Sequence, residues 1–318
     1  MNYFFVISIS FIIVFLVTPS IRSMALRFYA IDKKDKRKIH NKIITKLGGM
    51  GIYLGFLGGI STLILLESSF FRSEFYPLST LLVTTTLMLV LGVYDDFHGS
   101  SAILKFIVQI IISFLIVKSG FLLSRLFIPG LIDIKLGILS IPLTLLWLVG
   151  VTNAVNLIDG LDGLASGIVG IVSIFVFIFG LILNDSFVIY ISLALACACF
   201  AFLKYNFYPA KIFMGDTGSL FLGLTIAYLG ICKSPSNLQN IYFIPVVILL
   251  AFPILDTIFA IARRVLRKRN IFSGDLSHIH HFLIKKGFNQ AQVSVSLYLL
   301  TFILGIISLL VLISLLRS

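Results

Sequence analysis

Evenly spaced amides and carboxylates interrupt a strongly hydrophobic chain. Asn153, Asn156, Asp159 and Asp162 recur at every third position between long apolar segments. Such side chains are costly near hydrocarbon, and their oxygen atoms suit Mg²⁺. Three residues advance an α-helix by about 300°, so the two ends of this run would point in nearly opposite directions on a straight helix. We expect Asn156 and Asp159 to serve one site, and a bend at the glycines of the run would return Asp162 to it. The alternative is that these groups cap helix ends.

Two more acidic motifs lie at the ends of apolar segments. Asp95 and Asp96 are adjacent, and neighbours on a helix diverge by about 100°. We therefore expect one of them to face a metal or act as a base, and the other to orient Lys or Arg. Residues 215–219 open a later segment, where glycines and helix N–H groups favour phosphate and Asp216 favours Mg²⁺. Helix capping is the alternative for both motifs.

A histidine cluster lies near the C-terminal end of the chain. It holds three of the five histidines, His278, His280 and His281. No cysteine lies near them and the surrounding loop is basic, so contacts with phosphate, or stabilisation of a leaving phosphate, are favoured over zinc. A solvated surface cluster is the alternative.

Several single residues are further candidates. Phe213 lies just before the acidic residue of the 215–219 motif, where an aromatic ring could stack on a nucleobase or simply pack. Asp256 lies inside an apolar segment and either lines a polar cavity or hydrogen-bonds a neighbouring helix. The basic side chains that could contact phosphate are His40, Lys46, Lys105 and Lys211. Solvated charge is the alternative for His40 and Lys46, and a Lys that extends from a helix end towards water is the alternative for Lys105.

The composition predicts an all-α integral membrane protein. Of the 318 residues, 59% are hydrophobic and only 12% are charged, which leaves too little polar surface for a soluble protein of this length. No soluble domain remains, so residues 1–318 form a single membrane domain. A spanning helix needs about 20 apolar residues, and about ten segments qualify: 2–20, 47–66, 77–93, 102–118, 136–152, 163–183, 186–203, 213–231, 240–262 and 291–316.

The charge distribution predicts the orientation. With ten spans, most of the 25 Lys and Arg residues fall on one side of the membrane, so this side is cytoplasmic and both termini are outside. The net charge of +12 then reflects orientation and attraction to anionic lipid, not binding of nucleic acid. The unusual polar motifs fall on the same side, so we expect one active site built from five cytoplasmic loops: 20–46, 94–101, 152–162, 204–212 and 263–290.

Together these motifs resemble the polyprenyl-phosphate N-acetylhexosamine-1-phosphate transferases. That family shows an Asp-Asp pair, an Asn-x-x-Asn-x-x-Asp-Gly-x-Asp-Gly-Leu run, a Phe-x-Gly-Asp-x-Gly-Ser motif and a terminal His cluster, in this order. Here they lie at residues 95–96, 153–164, 213–219 and 278–281. The resemblance covers nearly the whole chain and implies transfer of a sugar 1-phosphate from a UDP-sugar to undecaprenyl phosphate, with release of UMP. It also implies Mg²⁺, with Mn²⁺ as an alternative, the bacterial inner membrane and a homodimer.

The resemblance also implies roles for individual residues. Asp216 resembles the principal Mg²⁺ ligand, with Asn156 or Asp159 nearby. Asp95 resembles the residue that activates the lipid phosphate, and Phe213 resembles the residue that stacks on uracil. The catalytic set is Asp95, Asp96, Asp159, Asp162, His278, His280 and His281. The substrate-binding set is Asn153, Asn156, Phe213, Lys105, Lys211, Gly215 and Lys46.

The histidine spacing favours one branch of this family. His-Ile-His-His at 278–281 is similar to the branch that uses UDP-N-acetylglucosamine for surface polysaccharide or teichoic acid linkage. Muramoyl-pentapeptide enzymes usually carry three consecutive His and are the alternative. Residues 43–46 lack the prolines and Arg that the family usually has there. An intramembrane prenyltransferase would not explain the His cluster, and a transporter would place polar residues deep within the spans.

Overall fold

The structure is a computed structural model, and it consists mainly of α-helices. His40 and parts of two predicted cytoplasmic loops lie outside the residues that it describes, which are 2–31, 44–128, 132–232, 240–268 and 278–317. The helices within these ranges are α1 Asn2–Arg27, α2 Gly48–Leu66, α3 Ser68–Ser73, α4 Phe75–His98, α5 Ala102–Lys118, α6 Ser140–Ile158, α7 Leu164–Leu183, α8 Ser186–Asn206, α9 Gly215–Gly230, α10 Phe243–Leu249, α11 Ala251–Leu266, α12 Ile279–Lys285 and α13 Gln290–Arg317.

Each of the ten predicted apolar segments coincides with a helix or with the α10–α11 pair. Among the described residues, seven helices are long and apolar enough to cross a membrane. The count rises to eight if α10 and α11, which meet at a bend of 71°, form one broken span. Helices α5 and α9 are shorter, with 17 and 16 residues. These helices indicate a membrane protein with seven or eight candidate spans among the described residues, and ten spans remain a prediction.

A short antiparallel hairpin corrects the all-α prediction. Strand β1, Arg125–Ile128, pairs with strand β2, Ile132–Lys135, and Arg125 lies opposite Lys135. Alternation of apolar and polar residues in β2 favours a strand. Asn240 holds the hairpin to the bundle, because its side-chain oxygen accepts hydrogen bonds from the backbone N–H groups of Ser124 (2.9 Å) and Arg125 (3.2 Å).

Helix α9 lies at the centre of the bundle. Every residue from Thr217 to Gly230 is buried, whereas α1 and α13 expose many large apolar side chains. Small residues allow this packing, since a Cβ atom on Gly92 of α4 or on Gly223 of α9 would overlap the backbone of the neighbouring helix. The N-terminus of this central helix carries Asp216, so the fold places that carboxylate where several helices end.

Candidate active site

Backbone hydrogen bonds join the loops that precede α2 and α9. The N–H of Gly48 donates to the carbonyl of Phe213 (3.0 Å), and the N–H of Gly49 donates to the carbonyl of Met214 (2.9 Å). A Cβ atom on Gly49 would overlap the backbone of Gly218. The glycines therefore allow α2 and α9 to begin side by side, although the two helices lie far apart in the sequence.

Asp96 caps α9 from the end of α4. Its carboxylate accepts hydrogen bonds from the backbone N–H of Asp216 (3.2 Å), the backbone N–H of Thr217 (3.0 Å) and the hydroxyl of Thr217 (2.7 Å). Gly215 has φ +72°, and a Cβ atom there would overlap this carboxylate. The backbone N–H groups of Asp216 and Thr217, which were candidates for phosphate binding, therefore donate to the Asp96 carboxylate. Gly215 leaves space for this carboxylate.

Lys105 joins two of the acidic motifs. Its ammonium group lies 3.3 Å from Asp95 Oδ2 and 2.7 Å from Asp216 Oδ2. The amide nitrogen of Asn156 donates to Asp216 Oδ1 (3.0 Å) and to the hydroxyl of Ser219 (2.8 Å). Helices α4, α5, α6 and α9 thus meet at Asp216, whose negative charge is compensated by a lysine and by amide hydrogen bonding.

Asp159 follows the end of α6 and lies among these charges. Removal from water raises its pKa well above the ordinary value, and the negative charges of Asp216 and Asp96 raise it further. Lys46, whose ammonium lies 3.7 Å from Asp96 Oδ1, opposes this increase. We call the following group the carboxylate cluster: Asp95, Asp96, Asp159 and Asp216, with Lys105 and Asn156.

The carboxylate cluster has the donor chemistry of a magnesium site but is not a complete one. In the part of the chain that the structure describes, no three His, Cys, Asp or Glu side chains are grouped so as to hold a metal ion. Mg²⁺ in enzymes commonly takes one or two carboxylates and completes its shell with substrate phosphates and water. Oxygen atoms of Asp216 and Asn156 fit that requirement.

The predicted histidines and Asp256 form a second group of polar side chains. His278 Nδ1 lies 2.8 Å from Asp256 Oδ2, and the backbone N–H of Ile279 donates to Asp256 Oδ1 (3.0 Å). The rings of His278 and His280 are parallel, with centroids 5.5 Å apart, and the rings of His280 and His281 are 4.3 Å apart. We call His278, His280 and His281, with Asp256, the histidine cluster.

The histidine cluster contacts the Asn/Asp run. A Cβ atom on Gly160 would lie 2.9 Å from His280 Nε2. Burial lowers the pKa of His280 to about 3, and the neighbouring His281 and His278 add to this decrease. His280 is therefore neutral near pH 7. The same short run thus contacts both clusters, through Asn156 at one position and Gly160 at another.

The expected bend in the run is present, but its last carboxylate joins a different segment. Helix α6 ends at Ile158, and Gly163 has φ +73°. Asp162 is buried and accepts a hydrogen bond from the backbone N–H of Ala210 (2.9 Å). This bond fastens the turn between α6 and α7 to the chain after α8.

Three other candidates lie outside the hydrogen bonds of the carboxylate cluster. The amide nitrogen of Asn153 donates to Gln109 Oε1 (2.6 Å), so this residue, which was predicted to bind substrate, joins α6 to α5. Lys211 is exposed. Phe213 is partly buried in the loop before α9, close in sequence to the cluster.

Sequence reasoning missed Thr217, Ser219 and Gln109. Thr217 and Ser219 belong to the 215–219 motif, in which the prediction rests on the glycines and Asp216. Gln109 lies four residues after Lys105 in an otherwise apolar helix, which places both on one face. That spacing could have identified it.

Comparison with known proteins agrees with the motifs. The family model described as glycosyl transferase family 4 matches residues 78–234. The chain is 36% identical over 299 residues to a probable undecaprenyl-phosphate N-acetylglucosaminyl 1-phosphate transferase of Bacillus subtilis, covering 94% of this chain and 82% of that protein. The chain belongs to glycosyl transferase family 4.

Other family members extend the comparison. A decaprenyl-phosphate N-acetylglucosaminephosphotransferase of Mycobacterium tuberculosis is 35% identical, over 91% of this chain and 77% of the relative. A phospho-N-acetylmuramoyl-pentapeptide-transferase of Caldicellulosiruptor bescii is 30% identical, over 95% of both chains. The family resemblance predicted from the motifs is thus confirmed. The span that matches the family model contains every carboxylate of the carboxylate cluster, while the histidine cluster lies beyond it.

Proposed function

We propose that this chain transfers N-acetylglucosamine 1-phosphate from UDP-N-acetylglucosamine to undecaprenyl phosphate. A phosphate oxygen of the lipid attacks the phosphorus that carries the sugar, the bond to the bridging oxygen breaks, and UMP leaves with that oxygen. The observation that carries this proposal is the meeting of Asp95, Lys105, Asn156 and Asp216 at the ends of four helices. Relatives named for this chemistry match most of the chain.

The chain's own residues serve mainly to bind and orient highly charged substrates. Lys105 and Lys46 supply positive charge beside the carboxylates, and the same charge favours phosphate oxygens. A phosphate monoester is already largely ionised near neutral pH, so Asp95 acts by holding Lys105 rather than by removing a proton. Direct attack by the lipid phosphate is therefore favoured over a covalent aspartyl intermediate.

Asp216 and Asn156 are the residues that would hold Mg²⁺ or Mn²⁺. When bound, the ion would neutralise charge on the diphosphate. Asp96 keeps α9 in place beneath that site. Phe213 lies close enough in sequence to contribute a stacking surface for uracil, and the histidine cluster supplies groups for the leaving phosphate.

We propose that this site faces the cytoplasm and that both termini lie on the other side of the inner membrane. The basic character of the site-bearing loops supports this orientation. Asn2 donates a hydrogen bond to Glu67 (2.8 Å), which follows the end of α2 that lies away from the site. Ser294, near the start of α13, donates to the backbone carbonyl of Asp162 (3.2 Å), so α13 starts on the side of the site and ends on the other side. The product would be the first lipid-linked intermediate of a cell-surface polysaccharide or teichoic acid.

The second candidate is transfer of phospho-N-acetylmuramoyl-pentapeptide. The relative from Caldicellulosiruptor bescii supports it, although the relatives named for N-acetylglucosamine are more similar to this chain. The two functions differ only in the UDP-sugar donor, so the donor that supports UMP release distinguishes them.

The test is release of UMP by the purified protein with undecaprenyl phosphate, Mg²⁺ and a panel of UDP-sugars. We expect UMP with UDP-N-acetylglucosamine, and loss of turnover when EDTA removes the metal and its return with Mg²⁺. Release only with UDP-N-acetylmuramoyl-pentapeptide would select the second candidate. Folded protein that releases UMP from no donor would reject both.

A further inference from the structure

Asp256 is a buried carboxylate outside the carboxylate cluster. It lies in α11, three residues after Pro253 and just beyond the 71° bend between α10 and α11. Its side chain is almost fully buried. A carboxylate in such surroundings is costly unless its oxygens are hydrogen-bonded. Both of its oxygens meet such partners, and both partners belong to the segment that carries the histidines.

The two hydrogen bonds do different things. Oδ1 accepts the backbone N–H of Ile279, the first residue of α12, and so fixes where that helix begins. Oδ2 lies 2.8 Å from His278 Nδ1. An ionised carboxylate only accepts hydrogen bonds, so Nδ1 must carry the proton. Nε2 is then the nitrogen of His278 that remains for a ligand.

We infer that Asp256 is a positioning residue that fixes the tautomer and orientation of His278, so that the unprotonated Nε2 of this histidine accepts a hydrogen bond from a hydroxyl group of the bound donor. The inference rests on the proposed function for the identity of the ligand. The pairing itself does not depend on it. A carboxylate that holds His Nδ1–H in this way sets which ring nitrogen is presented, as carboxylates do for metal-binding histidines.

A purely structural role is the competing explanation, because Asp256 also caps α12. Asp256→Asn separates the two roles. The asparagine oxygen can still accept from Ile279, but the amide nitrogen that replaces Oδ2 donates and requires His278 Nδ1 to accept. The capping bond and the side-chain size are preserved, while the favoured tautomer of His278 is reversed.

The first measurement is a double-mutant cycle on UMP release. We expect Asp256→Asn to lower kcat by about 10- to 100-fold, as loss of a carboxylate that orients a histidine typically does. In a His278→Gln background the same substitution should change kcat by less than about twofold, because the two residues act as one unit. An equal loss in both backgrounds would show that Asp256 does not act through His278.

Asp185 provides a matched control. It too is a buried Asp with two kinds of partner, since it accepts the N–H of Val188 at the start of α8 (3.0 Å) and the hydroxyl of Tyr242 (2.9 Å). No histidine is among these partners. Asp185→Asn should reduce thermal stability while leaving kcat nearly unchanged. If Asp185→Asn lost as much kcat as Asp256→Asn, the loss in Asp256→Asn would be a consequence of lowered stability.

The second measurement needs no turnover. The chain has only five histidines, so ¹⁵N-histidine labelling gives a small set of ring signals, and His278→Gln identifies those of His278. We expect a protonated Nδ1 on His278 in the wild-type protein and a protonated Nε2 in Asp256→Asn. A wild-type His278 with unprotonated Nδ1 overturns the inference, even if Asp256→Asn does not fold. These spectra test the pairing of Asp256 with His278 even if the protein releases UMP from no donor.

Discussion

The carboxylate cluster and the histidine cluster differ in how charge is compensated. In the first, Asp216 and Asp95 share Lys105, and Asp96 accepts three hydrogen bonds from α9. The charges of these groups are compensated, whereas burial and the negative charges of Asp216 and Asp96 raise the pKa of Asp159. In the second, burial and neighbouring imidazoles keep His280 neutral, and His278 has Asp256 as a carboxylate partner. We therefore expect the carboxylate cluster to balance the charge of the diphosphate, and the histidine cluster to depend on the orientation of its rings.

The Asn/Asp run connects these two regions. Asn156 binds Asp216 in the carboxylate cluster, and Gly160 contacts His280 in the histidine cluster. The chain leaves α6 between these positions, at Ile158. The run therefore sets the distance between the two clusters, and each cluster can be disturbed separately from its own end.

The largest effect should come from the carboxylate cluster. Asp216→Asn removes the charge that pairs with Lys105 and that would bind the metal, so we expect UMP release to fall by about 10³-fold. The variant should still extract and unfold with a normal melting temperature, because Asp96 continues to cap α9. Turnover within tenfold of the wild type would remove Asp216 from the centre of the site.

Asp133→Asn is the matched control for that loss. Asp133 is also ion-paired, to Arg125 at 2.7 Å, but it lies on the exposed hairpin. An exposed pair contributes little to stability, and this one lies outside both clusters. Its substitution should leave UMP release within about twofold of the wild type, which separates the effect of position from that of losing a paired Asp.

A smaller effect should come from the histidine cluster. In Gly160→Ala the new methyl group meets the ring of His280, so that ring must move. We expect turnover to fall by about 10- to 100-fold, because a displacement of about 1 Å can lower an enzyme's rate by about 10²-fold. Gly150→Ala is the control, since nothing lies within 4 Å of a Cβ atom there. Equal activities of the two alanine variants would mean that the position of His280 does not matter.

The sequence was most informative where polar residues interrupt apolar segments. Asp95, Asp216 and Asn156 were predicted to share a site because each ends or begins an apolar segment, and the structure brings them together. Adjacent Asp95 and Asp96 do contact different partners, while the roles of metal ligand or base and of orienting residue remain predictions. Hydrophobicity and helix geometry are local properties, and both can be deduced from the chain alone.

Contacts between distant segments could not be deduced in this way. Asp96 meets the backbone of Asp216 across 120 positions, and only the packing of α4 against α9 decides that it caps that helix. Asp256 and His278 were both noted, yet nothing in their spacing pairs them. The hairpin was missed because each strand has only four residues and only β2 alternates between apolar and polar residues.

The smallest predicted effect is a pH dependence confined to the histidine cluster. The unfolded His280 binds a proton below a pKa of about 6.5, whereas the folded one does so only near 3, because it is buried beside His278 and His281 while Asp256 partly offsets them. Between these values the unfolded state binds more protons, so the free energy of unfolding falls as pH falls, by up to about 1.4 kcal/mol per pH unit.

The variant His280→Gln cannot bind this proton, so its melting temperature in detergent should fall less than that of the wild type between pH 7 and pH 5. His98→Gln, which changes an exposed histidine, should behave as the wild type does. If His280→Gln and the wild type lose stability in parallel, His280 is not held neutral by burial, and the contrast in charge between the two clusters disappears.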